Sequence, residues 1–553
     1  MFPLPICNLQ FEILSKPFTF APLPRLAILR AMPDIVLTTL NAKYIHTAFG
    51  LRYLFANLGD LQSRAGLREF DINQRPLEIV EALLALEPQI IGFGVYIWNT
   101  TETAEVIATL KRLRPGLKII LGGPEVSFET DAQAIVQLAD HVITGEADLE
   151  FANVCRQLLS PTAVPPPKII AARLPEFTQI LLPYDLYNEA DLAHRIVYVE
   201  ASRGCPFTCE FCLSSLDVPV RQVSLPKFLA EMQKLLDRGL KQFKFVDRTF
   251  NLNLATSRAI LEFFLARHQP GHFYHFEMIP DRLPAELREI IARFPPGSLQ
   301  FEVGIQTFNP EVGAHISRRQ NYDRMADNFQ FLRSQTGVHI HADLIVGLPG
   351  ETLESFATGF NRLVTMGPQE IQVGILKRLR GTPISRHDQP FGMVYTPHPP
   401  YEILENSLLD FATLQRLRRF ARYWDMVGNS GNFIRTTHLI WSDQPSAFHA
   451  FFKFSDWLYT RTGRTDSIAL ARLAELVFEF LTAEQHLDPD MCAATLWQDW
   501  QQAGRRDPPE CIRERLAAET ARHPRATKTA LPKRQARHVS GPPVEDVAAD
   551  VRL

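Results

Sequence analysis

From Met32 onward the chain alternates short apolar runs with amphipathic segments. The runs DIVLTTL, REFDI, IIGFGVYI, KIILGG and HVITG are bounded by Gly and polar residues and recur about every 25 residues. Continuous apolar runs at that spacing are what a parallel sheet buried on both faces requires. Residues 32–160 therefore read as a doubly wound, Rossmann-like α/β domain. Composition turns to Pro and Ala near Pro161–Pro167, marking a linker over 161–193. A second alternation begins at Ile196 with IVYVEAS, FKFVD, HFYHFEM, LQFEVGI, HIHADLIVG and IQVGIL, separated by helical patterns such as Leu225 to Gly239. Repeated βα units over 194–384 predict an open or closed (βα) barrel. Residues 385–522 are helical and aromatic in pattern, with Leu404 to Trp424, Ala447 to Thr460 and Ser467 to Leu481 as helices.

Two ends stand apart from this pattern. Residues 1–31 are proline-rich and aperiodic, so they read as an N-terminal extension, with Met32 a candidate true start. Residues 523–553 mix basic, small and proline residues with few large apolar ones, a composition expected to be disordered. Lys and Arg total 58 against 61 Asp and Glu, a net charge of -3, so no global field favours nucleic acid or an anionic membrane. No stretch has the ~18–20 apolar residues of a spanning helix, and a cytoplasmic protein with no membrane partner is expected.

Seven cysteines in 553 residues are too sparse for a disulfide scaffold. Three of them, Cys205, Cys209 and Cys212, crowd into a C-x3-C-x2-C segment, ASRGCPFTCEFC, directly after a predicted strand. A loop can wrap thiolates around one cluster, and three thiolates leave the fourth iron of a 4Fe-4S cube open to another ligand. The alternative is zinc, which usually takes a closed set of four ligands, and no nearby Cys or His repeats the pattern. Cys7, Cys155, Cys492 and Cys511 are isolated and read as ordinary residues.

At these residues the chain resembles the radical S-adenosylmethionine (SAM) superfamily, whose C-x3-C-x2-C signature follows the first strand of a partial (βα) barrel. The resemblance implies a 4Fe-4S cluster on the three cysteines, SAM on the open iron, and an electron from a donor such as a flavodoxin or ferredoxin. It places Phe211 at the aromatic position beside adenine and makes Asp247, in FKFVDRTFNLN, a candidate for the methionine amine. In FEVGIQTFNP it makes Glu302 and Gln306 candidates for the ribose hydroxyls or the substrate. In HADLIVGLPGET, Ile345 and Gly347 would approach the adenine, although Gly-Leu-Pro-Gly before Glu-Thr is equally good turn and capping chemistry.

The loops after the first-domain strands resemble the cobalamin-binding domain that precedes the barrel in one radical enzyme class. Tyr96, Trp98 and Asn99 match its Y-x-W-N turn, and Gly122, Gly123 and Pro124 open its G-G-P-E. Gly145 and Glu146 begin a last motif that here reads Gly-Glu-Ala-Asp. Gly122 and Gly123 would let backbone lie against the corrin. His46 does not meet the cobalt-ligating D-x-H-x-x-G pattern: Tyr44 replaces the acid, and three residues separate His46 from Gly50. A nucleotide-binding module would want G-x-G-x-x-G after the first strand, which NAKYIHTAFG does not supply.

Together these segments resemble the cobalamin-binding radical SAM proteins, in the branch with an uncharacterised helical C-terminal domain. The resemblance implies an adenosyl radical that takes hydrogen from an unactivated carbon and methylcobalamin that delivers a methyl group. Ring formation or oxidation with the same cofactors, and non-catalytic sensing of cobalamin or redox state, stay open. So does the substrate.

Overall fold

The computed structural model describes residues 32–216, 219–505, 507–515 and 532–539. The expected 1–31 extension and most of the expected 523–553 tail lie outside the described residues.

The first five apolar runs form β1 (Ile35–Asn41), β2 (Ala65–Asp71), β3 (Ile90–Gly94), β4 (Lys118–Gly122) and β5 (His141–Thr144). A sixth strand, β6 (Ile169–Ala171), lies in the segment read as linker; three residues, two of them exposed, leave no periodic signal. All are parallel, in the order β2-β1-β3-β4-β5-β6. Every residue of β1 is buried, because Val36 and Leu40 enter the apolar layer on one face while Ile35 and Leu37 enter the layer on the other. The strand order reverses beside β1, which opens a crevice at the carboxyl ends of β1 and β3.

The second sheet runs in sequence order through β7 (Val197–Val199), β8 (Gln242–Phe245), β9 (Phe273–Met278), β10 (Leu299–Gln306), β11 (His339–Val346) and β12 (Glu370–Ile375). Its outermost strands, β7 and β12, do not pair with each other, so the barrel is open. Helices Leu225–Asp237, Leu254–Ala266, Tyr322–Gln335 and Leu353–Met366 pack apolar residues into the core that the strands share. The opposite face carries a polar band. There His275 Nε2 lies 2.9 Å from Glu302, and Glu370 meets His339 at 3.0 Å and His341 at 3.3 Å.

The C-terminal region is helical, with Phe411–Met426, Ala447–Thr462, Leu470–Glu479 and Pro489–Gln502. The helix expected from Leu404 starts later: Ile403–Glu405 pairs antiparallel with Val394–Tyr395, and Asp410 caps the helix by accepting from the Thr413 N–H at 2.8 Å. Trp424 is buried and Trp441 and Trp457 pack against the same core, as the helical pattern suggests. That core is continuous with the barrel's, Phe360 meeting Trp424 edge to face at 4.8 Å. Lys533–Val539, inside the segment read as disordered, is a helix docked on the polar face of the barrel. Arg534 pairs with Glu370 at 2.9 Å and Gln535 donates to Gln300 at 2.8 Å. Docking through polar side chains leaves no apolar period to read.

A buried charge network joins the first domain to the segment before β7. Arg52 pairs with Glu69 at 2.6 Å and Asp191 at 2.8 Å, and Arg195 pairs with the same two at 2.7 and 3.0 Å. Removing one member of a buried set strands its partners' charges. Arg52→Met should therefore lower unfolding free energy by about 3–5 kcal/mol, read as an earlier first transition in urea. A loss under about 1 kcal/mol would mean that the network is screened like a surface pair.

Candidate functional site

Cys205 and Cys209 are buried and Cys212 half-buried on the loop after β7, and all three line one cavity of about 200 Å³. Its other walls come from strand ends: Glu277 of β9, Glu302 and Gln306 of β10, and Asp343 of β11. Phe211, Glu302 and Gln306, predicted from separate segments, are thus brought together with the thiols. Among the described residues no His, Cys, Asp or Glu group converges on a single metal ion. Three thiols on the lining of one cavity are a donor set that fits an iron-sulfur cluster.

The cavity also holds buried polar atoms with no hydrogen-bond partner: Gln306 Oε1, Arg318 Nε and Gln320 Oε1. Buried polar groups are normally satisfied, so these atoms fit a polar ligand such as SAM. Gln306 sits at φ 71° beside a register shift in β10, a conformation that side-chain-bearing residues seldom adopt. Arg318 donates to the Gly304 carbonyl and lies 3.3 Å from the Cys209 sulfur. Burial alone would raise Glu302; the hydrogen bond from His275 and the charge of Lys244 outweigh it and hold the carboxyl below its ordinary range.

Three residues predicted for the barrel site lie off the lining of this cavity. Asp247 does not line the cavity: its carboxylate accepts from Ala201 N–H at 3.0 Å and Ser202 Oγ at 2.6 Å, and burial raises it to about 7. It brackets the start of the cysteine loop. Gly347 meets Ile403 instead of open space, since a Cβ there would lie 2.7 Å from Ile403 Cγ2. Ile345 lines a neighbouring cavity, not that of the thiols.

Reading also missed Glu210, the charged residue inside the motif itself. Its buried carboxylate is held by Arg386, by His387 Nε2 at 2.8 Å and by Ser317 Oγ at 2.6 Å. An acid between two cysteines was the available signal.

The first domain carries a second cavity, of about 350 Å³, at the carboxyl ends of β1, β3, β4 and β5. Gly94, Gly122 and Gly145 pave it. A Cβ on Gly122 or Gly145 would meet no protein atom closer than 3.7 and 3.8 Å, so these positions leave a flat floor that suits a macrocycle. Gly123 has a different reason: at φ 110° its Cβ would lie 2.5 Å from the Val95 carbonyl oxygen. Tyr96 lines the cavity with Trp98 stacked on it at 4.4 Å, but Trp98 itself faces solvent. Asn99 does not reach the cavity. Its side chain ties β1 to β3, donating to Leu40 O at 3.0 Å and accepting from Tyr96 N–H at 2.8 Å. Pro124 is exposed at the start of a short turn. His46 lies 2.6 Å from Tyr198 Oη and also stays off the cavity lining.

Glu146 lines this cavity but is already paired. It meets Arg203 at 2.8 Å and Arg221 at shorter range. Arg203 also takes Asp148 at 3.0 Å and Glu200 at 2.9 Å, and both Arg203 and Glu200 line the glycine-paved cavity. Arg203 stands two residues before Cys205, so one short segment forms part of both cavities.

The family model described as the Radical SAM superfamily matches residues 199–362, and that of the B12 binding domain matches 35–155. The chain thus carries a radical SAM domain preceded by a cobalamin-binding domain. A third model, a protein of unknown function (DUF4080), covers residues 389–538 of this radical SAM chain and takes in the docked helix at its end. An uncharacterised methyltransferase of Pyrococcus horikoshii is 24% identical over 50% of the chain and 64% of its own length. The 2-(S-pantetheinyl)-carbapenam-3-carboxylate methyltransferase of Streptantibioticus cattleyicolor is 23% identical over 54% of the chain and 48% of its own length. The chain thus spans between about half and two thirds of these relatives. The radical SAM methyltransferase TsrM of Kitasatospora setae, solved with tryptophan and a SAM analogue, shares the fold with a TM-score of 0.54 and 16% identity, over 68% of this chain and 80% of that one. The radical SAM domain implies a 4Fe-4S cluster and SAM, and the B12-binding domain implies cobalamin. No helix among the described residues is long and apolar enough to cross a membrane.

The turn after β11 holds one titrating group. Glu351 accepts from Thr307 Oγ1 at 2.7 Å, leaves Oε2 unpartnered, and is raised by burial to about 7. Its folded value exceeds the unfolded one, so the stability it contributes is present at low pH and is lost as pH rises from about 4.5 through 7. Glu351→Gln should raise stability by about 2–3 kcal/mol at pH 8 and by less than about 1 kcal/mol at pH 5, as read by chemical denaturation at the two pH values.

Proposed function

We propose that the protein is a cobalamin-dependent radical SAM methyltransferase that methylates an unactivated carbon. The observation that carries this reading is the shared wall: Glu200 and Arg203 line the glycine-paved cavity, and Cys205 lines the thiol cavity two residues on. Methyl transfer through two cofactors requires that both meet one substrate. Relatives named as methyltransferases support the same reading, while ring formation, oxidation and sensing find no support among them.

Cys205, Cys209 and Cys212 would be the cluster ligands, with Arg318 and Gln320 offering their unpartnered atoms to SAM. Phe211 and Glu302 bound the same space. Gly94, Gly122 and Gly145 would support the corrin face. When bound, the cluster supplies the electron that cleaves SAM and cobalamin carries the methyl group. The chain's own task is orientation and exclusion of water. The Glu210 clamp keeps the cysteine loop against the barrel, and the Arg203 network holds the two cavities in register.

Protein purified and reconstituted without oxygen should contain iron, sulfide and cobalt. With a chemical reductant it should form 5'-deoxyadenosine and move the labelled methyl of SAM onto its cobalamin. Cys205→Ala should lower SAM cleavage to background. Equal cleavage by that variant would reject the enzyme reading, and cleavage with no label on cobalamin would reject methyl transfer.

A further inference from the structure

The thiol cavity adjoins a larger one. Phe211, Gln306 and Asp343 line both, and the second cavity, of about 670 Å³, runs along the ends of β11 and β12. That volume falls in the range of small-molecule sites. Its far wall is built by the C-terminal region, with Arg418, Arg422 and Asp425 on helix Phe411–Met426 and Arg534 on helix Lys533–Val539.

The charges lining it do not balance. Arg418 is held by Glu402, and Arg534 by Glu370 at 2.9 Å and Asp425 at 2.8 Å. Those pairs use up Glu402 and Asp425, and Asp343 pairs with His341 at 3.3 Å. Two cations are left over. Lys377 has no ion pair among the described residues. Arg422 donates to the Thr465 carbonyl at 3.1 Å and comes no nearer than 3.9 Å to Asp425, which Arg534 already occupies. At the seam with the thiol cavity, Gln306 Oε1 is buried and without a partner. A chamber lined by loosely engaged cations, with an unfilled acceptor at its seam, suits a ligand with an anionic group and a polar, donor-bearing part.

We propose that this chamber is the substrate site, that it takes a substrate bearing a carboxylate or phosphate, and that Lys377 and Arg422 hold that anionic group. The remainder of the substrate extends past Gln306 toward the thiol cavity, which brings its reacting carbon to the side of the thiols. Arginine's planar fork suits an oxyanion in two-point contact, and lysine adds a point charge. The assignment rests on the methyltransferase reading for what happens to the substrate, but its binding test needs no turnover.

The full-length, anaerobically reconstituted protein is titrated with inorganic phosphate and, separately, with acetate at constant ionic strength, and melting is followed. Saturable stabilisation by at least one ion is expected, and whichever ion binds more tightly identifies the anionic group. A Lys377→Ala/Arg422→Ala double variant should bind that ion at least about tenfold more weakly, a difference of about 1.4 kcal/mol. Arg472→Ala, which removes a distant exposed charge, should bind as the parent does. Absence of saturable binding, or equal affinity in the double variant, overturns the proposal. Anion binding lost while the label still reaches cobalamin rejects the anion site alone; anion binding kept without methyl transfer rejects only the activity.

Discussion

The Arg203 guanidinium stands between two domains and belongs to both. Glu146 and Asp148 reach it from the end of β5, and Glu200 reaches it from the end of β7. The Tyr53 ring lies 4.4 Å from its Cζ and the Phe177 ring 5.2 Å away, so the charge is enclosed by apolar surface as well as by acids. Three carboxylates in so small a volume repel one another, and burial already pushes Glu200 up. Their coexistence depends on the cation among them. Because a planar fork constrains direction as well as distance, this pairing sets the spacing of the two cavities. The separation of the two cavities is therefore tied to one side chain two positions before the first cysteine.

The cysteine loop itself needs an equally firm base, since a loop with three thiols lining one cavity would otherwise wander. Glu210 supplies it. Its backbone N–H donates to the Ile316 carbonyl at 3.1 Å, its carbonyl accepts from Ile384 N–H at 3.0 Å, and its carboxylate draws in Arg386, His387 and Ser317. Segments from two later parts of the chain thus close on the middle of the motif. Asp247 holds the other side through Ala201 and Ser202. Ligand geometry that must be held to fractions of an ångström is commonly secured this way, by neighbours that do not touch the ligand.

Both sheets were legible because nearly every strand is an apolar run or an alternation bounded by turn residues, and β6, with neither, was not. The cysteine spacing was legible because three thiols that line one cavity from a single loop must lie close in sequence. Arg203, Glu210 and Arg318 were not, because their meaning lies in partners distant along the chain: Asp148 is 55 residues from Arg203, and His387 is 177 from Glu210. Asn99 and Gly123 show the converse. Asn99, a motif position expected at the cofactor, ties β1 to β3, and Gly123, which lines the cavity, also makes room for the Val95 carbonyl. A family pattern preserves whatever the fold needs as well as whatever the ligand needs, and only the contact partners separate the two.

An open barrel has an edge, and the treatment of that edge shapes the active region. β12 ends the sheet with unpaired backbone groups, which a protein must cover or blunt. Here the Asn429 side chain acts as a short substitute strand, accepting from Ile371 N–H at 2.8 Å and donating to its carbonyl at 2.8 Å. Helix Phe411–Met426 then packs beside β12, and the Phe360, Phe420, Phe448 and Trp424 rings merge its core with that of the barrel. A region that covers an edge so closely cannot behave as an independent appendage. It becomes a wall of whatever space the barrel leaves beside its last strands, and the charges on its inner side, Arg418, Arg422 and Asp425, face that space by consequence of the packing. Closing the sheet and shaping the chamber are thus one structural act.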